Sequence, residues 1–152
     1  AQAAAVAGDV TTADAHLAAA ARLRPWDRDV PLIAAATFRE GALAGDPASA
    51  DAARRWALEA LRRTPGSVEA GKALLVAELS LEDRSALATA ATLARRAPTD
   101  PEVALLEGYA LAVAGRWDDA ADALGRATDN PFTRARAEAL LDEVRARASA
   151  QG

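Results

Sequence analysis

Apolar residues recur at three- and four-residue intervals along nearly the whole chain, and no stretch alternates with a period of two for long enough to make a strand. The clearest case is the segment 98–131, PTDPEVALLEGYALAVAGRWDDAADALGRATDNP. There, two amphipathic helical patterns meet at Gly115-Arg116-Trp117-Asp118 and a proline closes the second. Ahead of it, Gly8-Asp9 interrupts a first helical run, and Thr11 or Thr12 is placed to cap a helix that turns Ala13, Leu17, Ala20 and Ala21 inward and stops at Pro25. A helix over 27–44 follows, with the apolar stripe Leu32, Ile33, Ala36, Phe38 and Leu43. Gly45-Asp46-Pro47 then offers a stop, a cap and a first-turn proline to a helix that runs to about Arg63 and buries Ala53, Trp56, Ala57, Ala60 and Leu61. Beyond Thr64-Pro65-Gly66, Ser67 caps a helix carrying Val68, Leu74, Leu75 and Leu79 to about Ser80. Its partner starts at Asp83 and carries Leu87, Ala90, Ala91 and Leu93 to Pro98. After Pro131, Thr133 is placed to cap a last helix with Ala137, Leu140, Leu141 and Val144 on one face and arginines and acids on the other.

The prolines that close these patterns give a period. Pro25 and Pro65 stand 40 residues apart, Pro65 and Pro98 33, and Pro98 and Pro131 again 33. The surplus of the first interval falls at ALAGDPASA, in the turn between its two helices, where an insertion disturbs packing least. The expected architecture is therefore all-α: an α-α superhelix, or solenoid, of about three and a half antiparallel helix hairpins in a single repeat domain. Its parts would be a partial unit 1–25, units 26–65, 66–98 and 99–131, and a capping helix 132–150 whose polar face ends the stack. Small residues let two helices approach to the short end of the about 8–10 Å range. Gly108 and Ala120 are accordingly expected to meet within their hairpin. The seven residues before Gly8 read as the tail of a longer helix, because so short a run is unstable alone. A start at Ala1-Gln2, with neither an initiating methionine nor a basic signal region, reads as a fragment of a longer chain.

The segment 98–131 resembles the tetratricopeptide repeat family. Gly108 is the small residue of the first helix, Gly115 the turn glycine and Trp117 the turn aromatic, and Ala120, Leu124, Ala127 and Pro131 follow in the second helix. The opening segment is similar to the second half of such a unit at Gly8, Ala13, Leu17, Ala20 and Pro25. The unit ending at Pro65 is similar at Phe38, Ala53, Ala57, Ala60 and Pro65. The resemblance implies a non-catalytic protein-protein interaction or scaffolding module, with the first helices of successive units lining a concave face that holds a protein or peptide. Carried over by position, that lining is Asp29, Leu32, Arg39 and Glu40, then Glu69, Lys72, Val76 and Leu79, then Glu102, Leu105, Tyr109 and Val113. Members that grip a terminal carboxylate carry several lysines, arginines and asparagines there. Here Lys72 stands alone, with Ala36 and Val76 where amides are expected, so a carboxylate clamp is not implied. Asp29, Glu69 and Glu102 recur early in each first helix, either as an acidic rim for a basic partner or as acids favoured by the helix dipole. Arg39 and Tyr109 are the residues expected to make specific contacts.

A second resemblance lies in Leu23-Arg24-Pro25-Trp26-Asp27. This looks like the Leu-x-Pro-aromatic-Asp junctions in repeat tails that follow the membrane spans of bacterial envelope polysaccharide polymerases and ligases. It implies, as the alternative, a soluble accessory tail of such a membrane enzyme, and the alanine- and arginine-rich composition resembles that of high-GC bacteria. The junction also has a plain reading, in which Pro25 stops one helix, Trp26 fills the wedge between hairpins and Asp27 caps the next.

Composition narrows the chemistry. Hydrophobic residues make up 51% of the 152 positions, mostly alanine, and aromatics only 4%, so the interior must come from closely approaching helices rather than bulky side chains. A net charge of -4 disfavours nucleic acid, and the arginines of the last helix have acids beside them, as Arg134 has Glu138. Cysteine is absent, which removes disulfides and thiolate sites but leaves the compartment open. No apolar run reaches the roughly 20 residues of a membrane span, so membrane insertion is not expected. His16 is the only histidine and has no carboxylate on its own helical face, since Asp14 is two residues away. Asp118, Asp119 and Asp122 are the densest acids, at a helix start where the dipole favours them. Glycines stand singly at turns, so no phosphate-binding loop is present. The reading is of no enzyme, cofactor or metal, with a protein or peptide as partner and a second copy of the chain admissible in that role.

Overall fold

The computed structural model describes residues 9–151, and among them it is all-helical, with eight α-helices and no strand. Up to Arg84 the helices are α1 (Val10–Leu23), α2 (Asp29–Leu43), α3 (Pro47–Arg63) and α4 (Val68–Ser80). From Ser85 they are α5 (Ala86–Arg96), α6 (Pro101–Val113), α7 (Trp117–Ala127) and α8 (Pro131–Gln151). These two sets are separate compact units. The pattern reading joins 66–98 in one hairpin, whereas the structure assigns α4 to the first unit and α5 to the second. The expected truncated helix before Gly8, and the match at Gly8 itself, lie outside the described residues.

Local chemistry accounts for most helix ends. Asp46 accepts from the N–H groups of Ala48 and Ser49 at 3.3 and 3.0 Å, and Pro47 fills the first helical position, where no donor is needed. Ser67 accepts from Ala70 N–H at 3.2 Å, and Asp100 caps α6 from in front of Pro101. Two expected caps are displaced. The first helix begins one residue earlier than Thr11, capped by Asp9, whose Oδ1 accepts from Thr12 N–H at 2.9 Å. At α8, Asn130 takes the capping position by accepting from Phe132 N–H at 2.9 Å. Thr133 is already inside the helix and donates its hydroxyl back to Ala127 O at 2.6 Å. In both places a better acceptor stands just upstream of the threonine.

In the first unit, α1 packs on α2 and α3, α2 on α3 and α4, and α3 on α4. The core joins Ala34, Ala35 and Phe38 of α2 to Ala52, Ala53, Trp56 and Ala57 of α3, with Val10 and Ala13 at one side and Ala73, Leu74 and Ala77 at the other. The expected stripe on α2 is only partly inward. Phe38 is fully buried, but Ile33 and Leu43 are 57% and 54% exposed, Ala36 is exposed and Leu32 half-buried. Phe38 shares its face with Ala34, Ala35 and Ala42, and one large ring among alanines fills the space against α3. Polar ties close the unit: Trp56 Nε1 donates to Asp14 Oδ1 at 2.7 Å, and Ser80 Oγ to Ala42 O at 2.9 Å.

In the second unit, α5 packs on α6, α6 on α7 and α8, and α7 on α8. Ala120, Ala123, Leu124 and Ala127 of α7 form the centre with Ala104, Leu105 and Leu111 of α6 and Ala137, Leu141 and Val144 of α8. Trp117 lies beneath the Arg147 guanidinium, 5.8 Å from the ring centre. Gly108 and Gly41 each stand at a crossing that needs glycine. A Cβ at Gly108 would fall 2.5 Å from Leu124 Cγ, and one at Gly41 would fall 2.6 Å from Ser49 Cβ. Gly108 thus meets Leu124 most closely, where Ala120 was expected, because the larger side chain reaches across the crossing into the space that a missing Cβ leaves.

Candidate binding surfaces

The first helices of the expected units are α2, α4 and α6, and their predicted lining residues fall into three environments. On α2, Asp29 and Glu40 are exposed, while Leu32 and Arg39 are half-buried, with an Arg39 guanidinium nitrogen 3.7 Å from Glu40 Oε1. On α4, Glu69 is exposed and lies 3.1 Å from Lys72 Nζ. Lys72 and Val76 are only 5% and 4% exposed, because α4 is buried without interruption from Ala70 to Glu78. They offer a partner no surface, and Leu79 only part of one. On α6, Leu105 belongs to the core and Glu102 is half-buried, whereas Tyr109 and Val113, four residues apart on one face, are 42% and 64% exposed. Asp29, Glu69 and Glu102 all occupy the first turn of their helices, where the positive end of the dipole favours an acid.

Exposed apolar residues outside the predicted set enlarge this picture. Ile33 and Leu43 stand outward on α2, next to the predicted Glu40, and Phe132 at the start of α8 is 94% exposed. Hydropathy alone gives α2 two apolar faces, so the outward one was legible only as surplus. Leu23 and Trp26, at the turn between α1 and α2, are 79% and 78% exposed. Trp26 therefore does not fill a wedge between hairpins. Asp27 does act on the next helix, accepting from Asp29 N–H at 2.9 Å.

A cleft of about 330 Å³ opens in the second unit among α5, α6 and α7. Leu87, Ala90, Leu111 and Ala123 form its apolar side, and Glu107, Arg116, Asp119, Asp122 and Arg126 its rim. Four of the five rim charges are paired: Arg126 reaches Glu107 at 2.5 Å and Arg116 reaches Asp119 at 2.6 Å. The first pair ties α7 to α6, and the second lies within the start of α7. The acids Asp118, Asp119 and Asp122 lie at the start of α7, and among the described residues no group of three potential ligands is placed to hold a metal ion. His16 is exposed on α1. The carboxyls of Asp46 and Asp9 are held below their ordinary value of 3.8 by capping. Asp46 is lowered by hydrogen bonds from the Ser49 hydroxyl and backbone, and Asp9 by those of Thr12. Both belong to helix starts.

No protein-family model matches this chain, and no curated protein matches it in sequence. Among the described residues, no helix is long and apolar enough to cross a membrane.

Proposed function

We propose that this chain is a non-catalytic interaction module of tetratricopeptide-like hairpins, which binds a protein or peptide on the outward faces of its first helices. The observation that carries this reading is the exposure of Tyr109 and Val113 on α6, and of Ile33 and Leu43 on α2, on helices whose opposite faces already complete a core. Large apolar side chains left in water beside polar ones, such as Arg39 and Glu40, have the composition of a recognition surface. The glycine crossing at Gly108 and the positive φ of 73° at Gly115 support the repeat resemblance, since both fall at positions where the family uses glycine. An amphipathic segment is the suited partner, in the first unit with its apolar side against Ile33 and Leu43 and its polar side towards Arg39 and Glu40, and in the second with its apolar side against Tyr109 and Val113.

The test is a photo-crosslinking side chain introduced in place of Tyr109, Ile33 or, as the control, Ala139 on the exposed face of α8. Adducts should form from 109 and 33 and not from 139, and Arg39→Glu with Tyr109→Ala should abolish those from 33 while leaving the melting curve unchanged. Adducts that survive those substitutions, or that form from 139 alone, would move the surface elsewhere.

The second reading is the soluble accessory tail of a bacterial membrane enzyme that polymerises or ligates envelope polysaccharide. It draws on the junction Leu23-Arg24-Pro25-Trp26-Asp27, whose tryptophan is left exposed. Several apolar spans of about 20 residues encoded upstream in the full gene would support it. A soluble neighbouring domain would count against it.

A further inference from the structure

We propose that the turn between α1 and α2 is a docking patch for an anionic lipid surface, with Leu23 and Trp26 as its apolar contacts and Arg22, Arg24 and Arg28 as its charges. Leu23 and Trp26 are 79% and 78% exposed, so neither contributes to the core of its unit. All three arginines are exposed, and none forms an ion pair with a described residue. The stretch 22–28 holds these three arginines against the single acid Asp27, while the chain as a whole carries a net charge of -4. The patch is thus opposite in sign to the molecule that bears it, which would orient the chain on a negative surface. Asp27, whose carboxylate accepts the Asp29 N–H at the start of α2, cancels one of the three charges and leaves the stretch 22–28 at a net +2, three arginines less one aspartate.

The turn is held, and its side chains are presented in a set arrangement. Arg24 N–H donates to Ala20 O at 3.1 Å, Asp27 N–H donates to Arg24 O at 3.0 Å, and Arg63 Nη1 reaches from the end of α3 to Asp27 O at 2.6 Å. Two apolar side chains standing almost free of neighbours would need a matching cavity in a protein partner. The headgroup boundary of a bilayer accepts them without one. Tryptophan is favoured at that depth, and arginine keeps its charge among the phosphates while its stem covers apolar surface. The contact is peripheral, in keeping with the lack of a spanning helix among the described residues. It rests on residues other than those of the proposed partner-binding faces, so either can fail alone.

The experiment is sedimentation of the whole chain with vesicles of phosphatidylcholine plus phosphatidylserine, and with vesicles of phosphatidylcholine alone, at low salt. Binding is expected only to the first and should weaken as salt rises. Each of Arg22→Gln, Arg24→Gln and Arg28→Gln should lower it about five-fold. Trp26→Ser should lower it about ten-fold, through loss of the indole from the interface. Tryptophan emission should be quenched by brominated lipid in the parent chain and not in Trp26→Phe, because of the two tryptophans that remain Trp56 is buried and Trp117 is half-buried beneath Arg147. Helix content and melting temperature should stay unchanged in every variant, since all five side chains are exposed. The proposal is overturned by equal binding to both vesicles, or by binding indifferent to Trp26 and the arginines. Equally tight binding of a single-stranded oligonucleotide through the same residues would overturn it, as would self-association dependent on Trp26.

Discussion

The α2–α3 hairpin and the α6–α7 hairpin turn the chain by the same backbone device and then hold it by different means. In each, a glycine of positive φ, 85° at Gly45 and 73° at Gly115, ends the first helix. The bonds correspond one for one: Gly45 N–H to Ala42 O and Asp46 N–H to Gly41 O in the first, Gly115 N–H to Ala112 O and Arg116 N–H to Leu111 O in the second. After that point they diverge. Asp46 caps α3 with its side chain and accepts the Ser49 hydroxyl at 2.5 Å, whereas Arg116 offers α7 no cap and turns to Asp119. The tight crossing of α2 and α3 is beside the turn, at Gly41 and Ser49, and that of α6 and α7 lies further along the pair, at Gly108 and Leu124. One hairpin is therefore pinned where it bends and the other along its length, so damage to the second should propagate further.

The largest effect should come from Gly108→Val. It would drive two methyl groups at a fully buried Leu124 and cost about 3 kcal/mol in denaturant unfolding. Leu124→Ala in the same chain should recover part of that loss, and strictly additive costs would show that the two residues do not meet. A middle-sized effect should come from Gly45→Ala and Gly115→Ala, each costing about 1 kcal/mol because an L side chain is strained in the left-handed region. Since nothing lies within 4 Å of a Cβ at either glycine, the two losses should be equal, and inequality would show that the turns are not the same device.

The smallest effect separates the two hairpins by acid. Hydrogen bonding holds the folded Asp46 carboxyl below its ordinary 3.8, so its cap contributes fully above that pH and is lost as the pH falls beneath it through the folded value. Asp46→Asn still caps but does not titrate there. It should flatten the acid limb of the melting-temperature curve below pH 3.8, while Arg116→Gln leaves that limb as it was. An unchanged limb in Asp46→Asn would remove the carboxylate from the explanation.

Much of the helix order was legible because its signals are local. Gly45-Asp46-Pro47, Thr64-Pro65-Gly66 and Ser67 act through backbone dihedrals and hydrogen bonds within a few residues, and the structure uses them where the pattern places them. The thresholds between rival caps were less legible. Asp9 lies ahead of Thr11 and Thr12, and Asn130 ahead of Thr133, and only helix register chooses among neighbouring acceptors. Of the candidate surface, Tyr109, Val113 and Glu40 are exposed, while Lys72, Val76 and Leu105 are covered. A position in a repeat carries the direction of a side chain along its own helix and says nothing of what other segments lay over it. Trp26 shows the converse, since a tryptophan beside a proline has the look of a packing residue until its neighbours prove to be absent.

The order of helices, their turns and the lack of any strand among the described residues follow from the amino-acid pattern alone, because backbone geometry answers to residues a few places away. Which face of α2 turns inward, that Gly108 lies against Leu124, that α4 is covered from Ala70 to Glu78 and that α4 and α5 fall in different compact units were decided only in three dimensions. In an alanine-rich chain, many faces are apolar enough to be buried and few are bulky enough to insist on it. The choice passes to shape, and shape exists only once the helices have met.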